Sequence, residues 1–306
     1  MSSRLETLQV AKLSPKLLGE SAELVAELLL RRQSSDGGFR GREGEAGDLY
    51  YTIFGLDALN ALGQAPPEGS VQPFLQPFGD GEGLDLIYLS CLIRSWVALG
   101  ALAEGPRSSS SGLTPDLATL RQRLDGFRQA DGGWSTEPGG ERGSTYGTFL
   151  AISAYQDLGA PIPQPDEVAR FLLACRTDDG GFAPDMQFMV PTTPTTAAGV
   201  AALRQVDAAP PPETADWLRA RRHPQGGFLP AIDAPMPDLL STAVALHALS
   251  SLGASLEDLA DPMLDYVDTL WNARGGFHGH WADDELDCEY TFYGLLALGH
   301  LSVWTR

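Results

Sequence analysis

The four residues "DGGF" at positions 36–39 recur along the chain and decide its fold. Close copies end at Trp134, Phe182, Phe228 and Phe277. The last three intervals are 48, 46 and 49 residues, and the first, of 95 residues, is about twice as long. A degenerate copy fills that first interval, because "PFGDGEGLDLIYLSCLIRSWVALG" (77–100) keeps the flanking pattern without the glycine pair. Six repeats of roughly fifty residues therefore fill the chain, which indicates a repeat architecture.

Each repeat has the same order of features. An amphipathic stretch such as "DEVARFLLACR" (166–176) leads into the glycine turn, where glycine permits backbone angles that other residues avoid. A polar linker follows, and then a helix that is apolar nearly all round, as buried helices are. Alternating outer and inner helices predict an all-α (α/α)6 toroid, a single domain over 1–306 with a central cavity. The predicted inner helices are "DLYYTIFGLDALNALG" (48–63), "DLIYLSCLIRSWVALG" (85–100), "STYGTFLAISAYQDLG" (144–159), "TTPTTAAGVAALRQVD" (192–207), "DLLSTAVALHALSSLG" (238–253) and "DCEYTFYGLLALGHLS" (287–302).

The chain is acidic, and this restricts its partners. A net charge of −19 with 43% apolar residues indicates a globular protein that repels nucleic acid and anionic membrane, since both bind basic patches. No apolar run approaches the ~20 residues of a membrane span, and the N-terminus has no apolar signal core. Three cysteines, an odd and sparse set, favour reduced thiols and a cytoplasmic location. A serine-rich stretch at 104–115 predicts a surface loop.

The glycine–glycine–aromatic turn, the polar linker and a helix that opens "YT" resemble one superfamily. It contains the β subunits of protein prenyltransferases and the toroid domains of squalene and other class II terpene cyclases. "QSSDGGF" (33–39) is also similar to the glutamine–tryptophan motif of the cyclases, with Phe39 in place of the tryptophan. The resemblance covers nearly the whole chain. It implies an isoprenoid-handling enzyme that binds a polyprenyl or terpenoid substrate in the central cavity, and it leaves open whether a helical partner subunit is required.

The resemblance to prenyltransferases implies a metal site. In those enzymes one inner helix opens Asp-x-Cys-Tyr and supplies two zinc ligands, and the next helix supplies a histidine. The sixth helix here reads "DCEY" (287–290), with the cysteine one place early, and Tyr51 stands where the histidine would be. Acidic residues just before this motif would repel a diphosphate unless a cation intervened. One alternative is therefore a zinc- or magnesium-dependent β-like subunit with altered ligands, namely Asp287, Cys288 and His280.

The resemblance to cyclases implies an acid catalyst at the same helix start. "DCEYT" (287–291) aligns with their Asp-x-Asp-Asp-Thr motif and puts Glu289 in place of the proton-donating aspartate. A carboxyl among other carboxylates and near apolar walls has a raised pKa, and it then carries a proton near neutral pH. The implied catalytic residues are Asp287, Glu289 and Tyr290. The substrate-binding candidates are carboxylates and aromatic rings of the inner helices: Asp48, Tyr51, Asp85, Tyr88, Tyr146, Asp238 and Phe292.

The first residues of the inner helices also have a purely structural interpretation. All six are residue types that cap helices by accepting hydrogen bonds from free backbone amides. Capping is therefore their predicted primary role, and it places all six helix starts at one rim of the cavity. The rival function is a non-catalytic toroid that binds a lipid or a protein partner, and it is favoured if aromatic side chains fill the cavity. The predicted caps are Asp48, Asp85, Ser144, Thr192, Asp238 and Asp287.

Three packing predictions follow from the repeats. Helices 48–63 and 287–302 should be neighbours, because six repeats close a ring with none left over. Asp57 and Arg94 are charges at near-equivalent heights on neighbouring apolar helices. Because an unpaired buried charge is strongly destabilising, we predict that they pair. His247 lies in the middle of the fifth inner helix and is predicted to be a hydrogen-bonded core histidine.

Overall fold

The computed structural model describes residues 2–100 and 115–305. The surface loop predicted at 104–115 lies outside these ranges except for its last residue. In the described ranges, a two-stranded hairpin, β1 (Trp271–Asn272) and β2 (Gly276–Phe277), and a short 3-10 turn at Gln76–Phe78 accompany the helices. The helices are α1 (Ser3–Ala11), α2 (Pro15–Leu18), α3 (Ser21–Arg31), α4 (Leu49–Ala61), α5 (Gln72–Leu75), α6 (Leu86–Ala98), α7 (Leu117–Asp125), α8 (Thr145–Asp157), α9 (Pro165–Ala174), α10 (Thr193–Gln205), α11 (Thr214–Arg219), α12 (Leu239–Ser251), α13 (Ala260–Leu270) and α14 (Cys288–Leu301).

The six predicted apolar helices form a closed inner ring. Each of α4, α6, α8, α10, α12 and α14 packs against the next, and α14 packs against α4. The predicted contact between the first and last inner helices is therefore confirmed. Helices α3, α5, α7, α9, α11 and α13 lie outside this ring, each beside the inner helix that follows it. The molecule is the (α/α)6 toroid that the repeats predict, with α1 and α2 as additions to the repeat pattern.

The glycine–glycine–aromatic turn links each outer helix to its inner helix. The ring of Phe39 is fully buried, and its backbone N–H donates a 2.9 Å hydrogen bond to Thr52 Oγ1 in the first turn of α4. Gly37 has a φ of +96°, and a Cβ there would lie 2.0 Å from the carbonyl oxygen of Ser70, so only glycine fits. The threonine of the "YT" signature is thus a structural residue. The same bond joins Trp134 to Thr148, Phe182 to Thr196 and Phe228 to Thr242.

The predicted ion pair between Asp57 and Arg94 is wrong. Arg4 of α1 reaches into the ring, and its Nη2 lies 2.5 Å from Asp57 Oδ1, with both side chains buried. Arg94 instead donates from Nε to Oδ2 of Asp157, the last residue of α8, at 3.2 Å. The prediction failed because α1 lies outside the repeat pattern, so the repeats alone do not reveal that it supplies a cation to the ring.

Helix α1 closes the ring at the ends of the inner helices, opposite the capped rim. The Ser3 backbone N–H donates to Gln156 Oε1 at 3.2 Å, and Glu6 lies 3.3 Å from Arg204. These contacts reach α8 and α10, while the Arg4 ion pair reaches α4, and α1 also packs against α14. We call this closed end the base of the toroid, and the end that carries the helix caps the rim.

Two histidines contact each other in the core of the ring. His247 Nδ1 lies 3.1 Å from His300 Nε2, which confirms the predicted hydrogen-bonded core histidine. Burial lowers the pKa of His247 to about 4 and that of His300 to about 3.

The three cysteines are all free and buried. Among the described helices, none has the length and apolarity that crossing a membrane requires.

Candidate active site at the rim of the toroid

All six predicted caps accept a hydrogen bond from a backbone amide in the first turn of their helix. Asp287 Oδ1 accepts from the N–H of Tyr290 at 2.8 Å, and Asp238 Oδ1 accepts from the N–H of Ser241 at 2.6 Å. These bonds satisfy amides that a helix start otherwise leaves free. The capping prediction is confirmed. The caps are Asp48, Asp85, Ser144, Thr192, Asp238 and Asp287.

Glu289 lies two residues after Asp287, the cap of its helix. Residues at the same position in other inner helices face the interior of the ring. The equivalent residues of α4, α6 and α8 are Tyr50, Ile87 and Tyr146, and all three line a central cavity. The Tyr50 hydroxyl donates to Glu289 Oε1 at 2.5 Å, so the carboxyl is held beside that cavity by the neighbouring inner helix. This bond crosses the seam where the first and last repeats meet.

Burial gives Glu289 the acidity of a group that titrates near neutral pH. The pKa of Glu289 rises from 4.5 to about 7, chiefly because of desolvation; the Tyr50 hydrogen bond opposes the rise, and the nearby Asp287 and Asp238 add to it. Desolvation also raises the pKa of Asp287 to about 6. Because the Tyr50 hydroxyl donates to one carboxyl oxygen, the other oxygen is the one that carries the proton.

Aromatic rings line the ring interior next to this carboxyl. The Tyr50 and Phe54 ring centroids are 5.0 Å apart, and Phe54 is 5.8 Å from Phe292 and 5.5 Å from Tyr293. Tyr146 contributes a ring from the other side, with 38% of the residue exposed. Faces of aromatic rings attract cations, so this cluster offers a surface that stabilises positive charge.

The central cavity is small and has two different ends. Its volume is about 60 Å³, smaller than the ~150 Å³ of an apolar cavity that binds benzene. It is bounded by α4, α6, α8 and α14, with α1 at the base. Aromatic rings of Tyr50, Phe54 and Phe292 form its upper part, whereas its floor is polar. The floor residues are Arg4, Thr7, Asp57, Ser90 and Arg94.

The structure brings only some of the predicted site residues to the cavity. Tyr146 and Phe292 line it. Tyr88 stays at the rim, where its hydroxyl donates to Asp48 Oδ2 at 2.9 Å and links neighbouring caps. Asp85 and Asp238 likewise occupy the rim as caps, and desolvation raises the pKa of Asp238.

Tyr51 and Tyr290 lie beneath the rim linkers. A Cβ at Gly41 would lie 2.5 Å from the Tyr51 ring, and one at Gly279 would lie 2.5 Å from the Tyr290 ring. Neither ring belongs to the cavity lining in the part of the chain that the structure describes. These two tyrosines therefore pack against glycines of the linkers, one residue beyond the position that faces the ring interior.

The predicted metal ligands do not fit a zinc ion in this arrangement. Cys288 is fully buried in the apolar core between α14 and the first repeat, whereas a zinc site groups several ligands around the thiolate. His280 accepts at Nδ1 from the backbone N–H of Ala282. Within residues 2–100 and 115–305, no three His, Cys, Asp or Glu side chains form a metal-binding group. Metal binding stays a prediction.

Sequence reasoning missed the specific role of Tyr50. It is one of several aromatic residues on the inner helices, and nothing in its own neighbourhood distinguishes it from core. Counting from the cap gives the signal, because Tyr50 is two residues after Asp48 just as Glu289 is two after Asp287. Adjacent inner helices place such equivalent residues side by side.

Comparison with known proteins agrees with this architecture. The sequence profile of the prenyltransferase alpha-alpha toroid domain matches residues 16–90, 113–213 and 196–306. No curated protein sequence matches the chain. Protein geranylgeranyltransferase-I of Candida albicans, complexed with GGPP, has a similar structure, with a TM-score of 0.66 and 14% identity over 92% of this chain and 91% of that chain.

Two other solved structures are also similar. A variant of the type II terpene cyclase MstE from Scytonema, in complex with geranylgeranyl dihydroxybenzoate, has a TM-score of 0.63 and 15% identity over 94% of this chain and 98% of that chain. A glycosidase variant has a TM-score of 0.56 and 11% identity over 97% of each chain. Identities this low establish a shared fold only. The profile match extends over most of the chain, and the chain therefore belongs to the prenyltransferase alpha-alpha toroid family.

Proposed function

We propose that this toroid is an acid catalyst for an isoprenoid or terpenoid substrate, with Glu289 as the proton donor. The observation that carries the proposal is the position and pKa of Glu289. A carboxyl with a pKa of about 7 is substantially protonated near neutral pH, and a general acid works best when its pKa is close to the operating pH. Structural neighbours that bind GGPP and geranylgeranyl dihydroxybenzoate support the substrate class.

The proposed step transfers the Glu289 proton to one carbon of a substrate double bond. The alkene electron pair forms the new C–H bond, the other carbon becomes a cation, and Glu289 becomes a carboxylate. Loss of a proton from a neighbouring carbon, or attack by a second double bond followed by proton loss, discharges the cation and restores the acid. The product is an isomerised or cyclised terpenoid, and no oxidant or reductant is needed.

The surroundings of Glu289 suit this chemistry in two ways. The Tyr50 hydroxyl bonds the carboxyl, and the Tyr50 ring packs against Phe54, which packs against Tyr293; this aromatic cluster stabilises the developing cation. The Tyr50 hydrogen bond stabilises the carboxylate that remains after proton transfer. The rim also carries the carboxylates of Asp48, Asp238 and Asp287, which repel a diphosphate. A neutral isoprenoid therefore fits this rim better than a prenyl diphosphate.

The cavity volume favours a second candidate, a non-catalytic toroid that binds a lipid or a protein. A space of about 60 Å³ does not hold an isoprenoid chain unless aromatic rings move. The rim linker of the fourth repeat also exposes large apolar side chains, which are typical of binding surfaces. These are Met186, Phe188, Met189 and Val190, each between 41% and 65% exposed.

Deuterium transfer separates the two candidates. The protein is incubated in heavy water with geraniol, farnesol or geranylgeraniol, and the recovered lipid is analysed by mass spectrometry. Because the Glu289 proton exchanges with solvent, acid catalysis incorporates carbon-bound deuterium into the substrate. We expect Glu289→Gln to lower the incorporation at least a hundredfold, since amides do not donate protons in this way and general acids contribute about 10²–10⁴-fold.

Glu43→Gln serves as the matched control, because Glu43 is an exposed carboxylate at the rim. It should incorporate deuterium at the wild-type rate. Lipid that binds in native mass spectrometry but gains no deuterium supports the non-catalytic candidate instead. Elemental analysis of the same samples tests the metal-dependent alternative, which requires bound zinc or magnesium that Glu289→Gln reduces and chelation removes.

A further inference from the structure

The floor of the cavity contains polar groups that an unmodified hydrocarbon tail would leave without partners. Ser90 is only 2% exposed, and its Oγ has no hydrogen-bond partner among the described residues. A buried hydroxyl without a partner is destabilising, so such groups normally bond to something that fills the site. Ser90 lines the cavity from α6, one turn above Arg94.

Arg94 presents a second set of donors to the same space. Only its Nε is bonded, to Asp157, and its two Nη atoms have no hydrogen-bond partner in the described ranges. The side chain retains 19% exposure although it lies inside the ring, because it borders the cavity. An arginine offers only donors, so the group that it would bind must be a hydrogen-bond acceptor.

The charges on the floor indicate that this acceptor is neutral. Arg4 pairs with Asp57, and Arg94 pairs with Asp157, so the four side chains already balance. An anion would add a negative charge beside two buried carboxylates without an additional cation to offset it. A hydroxyl or carbonyl oxygen satisfies Ser90 and Arg94 without that cost.

We propose that the floor residues Ser90 and Arg94 bind a neutral oxygen at the inner end of the ligand. The ligand is then a terpenoid with a hydroxyl or carbonyl group at the end that enters the cavity, rather than a plain hydrocarbon tail. This inference rests on the proposed function for the isoprenoid nature of the ligand. It specifies a ligand preference that does not depend on whether Glu289 transfers a proton.

The test uses two matched ten-carbon alcohols, geraniol and 8-hydroxygeraniol, which differ by one hydroxyl at the tail. Their dissociation constants are measured by isothermal titration calorimetry with the wild-type chain. We expect the tail-hydroxylated alcohol to bind about tenfold tighter, which is the effect of one additional buried hydrogen bond to a polar or charged group. Equal affinities, or no binding of either alcohol up to millimolar concentration, overturn the inference.

Ser90→Ala and Ser95→Ala provide a matched pair of variants. Both serines lie on α6, are buried and have an Oγ without a partner among the described residues, but only Ser90 lines the cavity. Removal of an unpaired buried hydroxyl leaves folding intact. We expect Ser90→Ala to lose most of the tenfold preference and Ser95→Ala to keep it. An equal change in both variants overturns the inference.

The same titrations with Glu289→Gln separate this inference from the proposed function. If the floor inference holds and the acid proposal fails, the preference persists in Glu289→Gln while the wild type incorporates no deuterium. If the acid proposal holds and the floor inference fails, deuterium is incorporated but both alcohols bind equally.

Discussion

Glu289 is subject to two opposing influences. Burial favours its protonated form, and the hydrogen bond from Tyr50 favours its carboxylate. Burial is the larger effect, so the pKa rises to about 7, but the tyrosine keeps the carboxyl titratable near neutral pH. At the scale of one residue, this balance keeps both the protonated and the ionised form of the carboxyl populated near neutral pH.

The raised pKa has a consequence for stability that is independent of catalysis. Between pH 4.5 and about 7 the folded chain holds a proton on Glu289 that the unfolded chain has released. Stability therefore falls as the pH rises through this window. Glutamine has no such ionisation. We expect the unfolding free energy of Glu289→Gln, relative to wild type, to rise by about 1–3 kcal/mol between pH 5 and pH 8.

Urea unfolding at pH 5, 6.5 and 8 measures this difference. Using the difference between variant and wild type removes the effect of His247 and His300, whose lowered pKa values make stability fall with decreasing pH. Glu43→Gln, at an exposed carboxylate, is the matched control in the same titrations. A pH-independent difference for Glu289→Gln would show that its carboxyl is not perturbed.

The sequence predicts the single-residue features that repeat and not those that depend on side-chain packing. Asp287 was identifiable as a cap because five other helices begin with the same kind of residue. The pairing of Tyr50 with Glu289 depends on which inner helices adjoin and on how far a phenol reaches. Those facts belong to the assembled ring, so the sequence predicts the caps at one rim but not the tyrosine that contacts Glu289.

At the scale of secondary-structure elements, α1 is held by apolar packing and by a buried ion pair. Leu8 and Ala11 belong to a hydrophobic core cluster, and Arg4 pairs with Asp57 inside the ring. Breaking a buried pair by removing one partner is far more damaging than replacing both partners. The attachment of α1 is therefore testable with two variants.

We expect Asp57→Asn to lower the unfolding free energy by about 3–5 kcal/mol, because it leaves the Arg4 guanidinium buried without its counter-ion. The double variant Arg4→Met, Asp57→Asn should recover most of this loss. Glu6→Gln is the control, since its pair with Arg204 is partly exposed, and it should cost less than about 1 kcal/mol. Chemical denaturation gives all three values, and a wild-type stability for Asp57→Asn would contradict the buried pair.

Most of the helices could be predicted from the sequence, but the position of α1 could not. Inner helices are recognisable from apolar residues on all sides, and their starts from the capping residues. Helix α1 has no counterpart in the repeats, so its position had no pattern to follow. The ion-pair error arose from this gap: Arg4 on α1 is the partner of Asp57, and Arg94 pairs instead with Asp157 on the neighbouring inner helix α8.

At the scale of the whole molecule, closure of the ring makes every repeat depend on both neighbours. Open repeat arrays tolerate the loss of a terminal repeat, because the remaining repeats keep their contacts. In this toroid α14 packs against α1, α4, α12 and α13. Removing it therefore exposes apolar surface at both ends of the chain at once.

We expect a chain truncated after Leu259, which lacks α13 and α14, to lose its cooperative unfolding transition and to bind the dye ANS. Circular dichroism during urea titration, together with ANS fluorescence, provides the measurement. The full chain is the reference. A truncated chain that keeps a sharp unfolding transition would indicate that the first repeat folds without its contacts to the last repeat.

Ring closure also has a consequence for the time course of synthesis. The apolar faces of α4 are made early, whereas their partner α14 begins only at Cys288, more than two hundred residues later. At ~5–20 residues per second, translation of the intervening chain takes on the order of ten to fifty seconds. During that time α4 lacks its contact with α14. During that interval the nascent chain exposes the very surfaces that later seal the toroid. Its yield in a cell should therefore depend on chaperones that shield the first repeat until the last has left the ribosome.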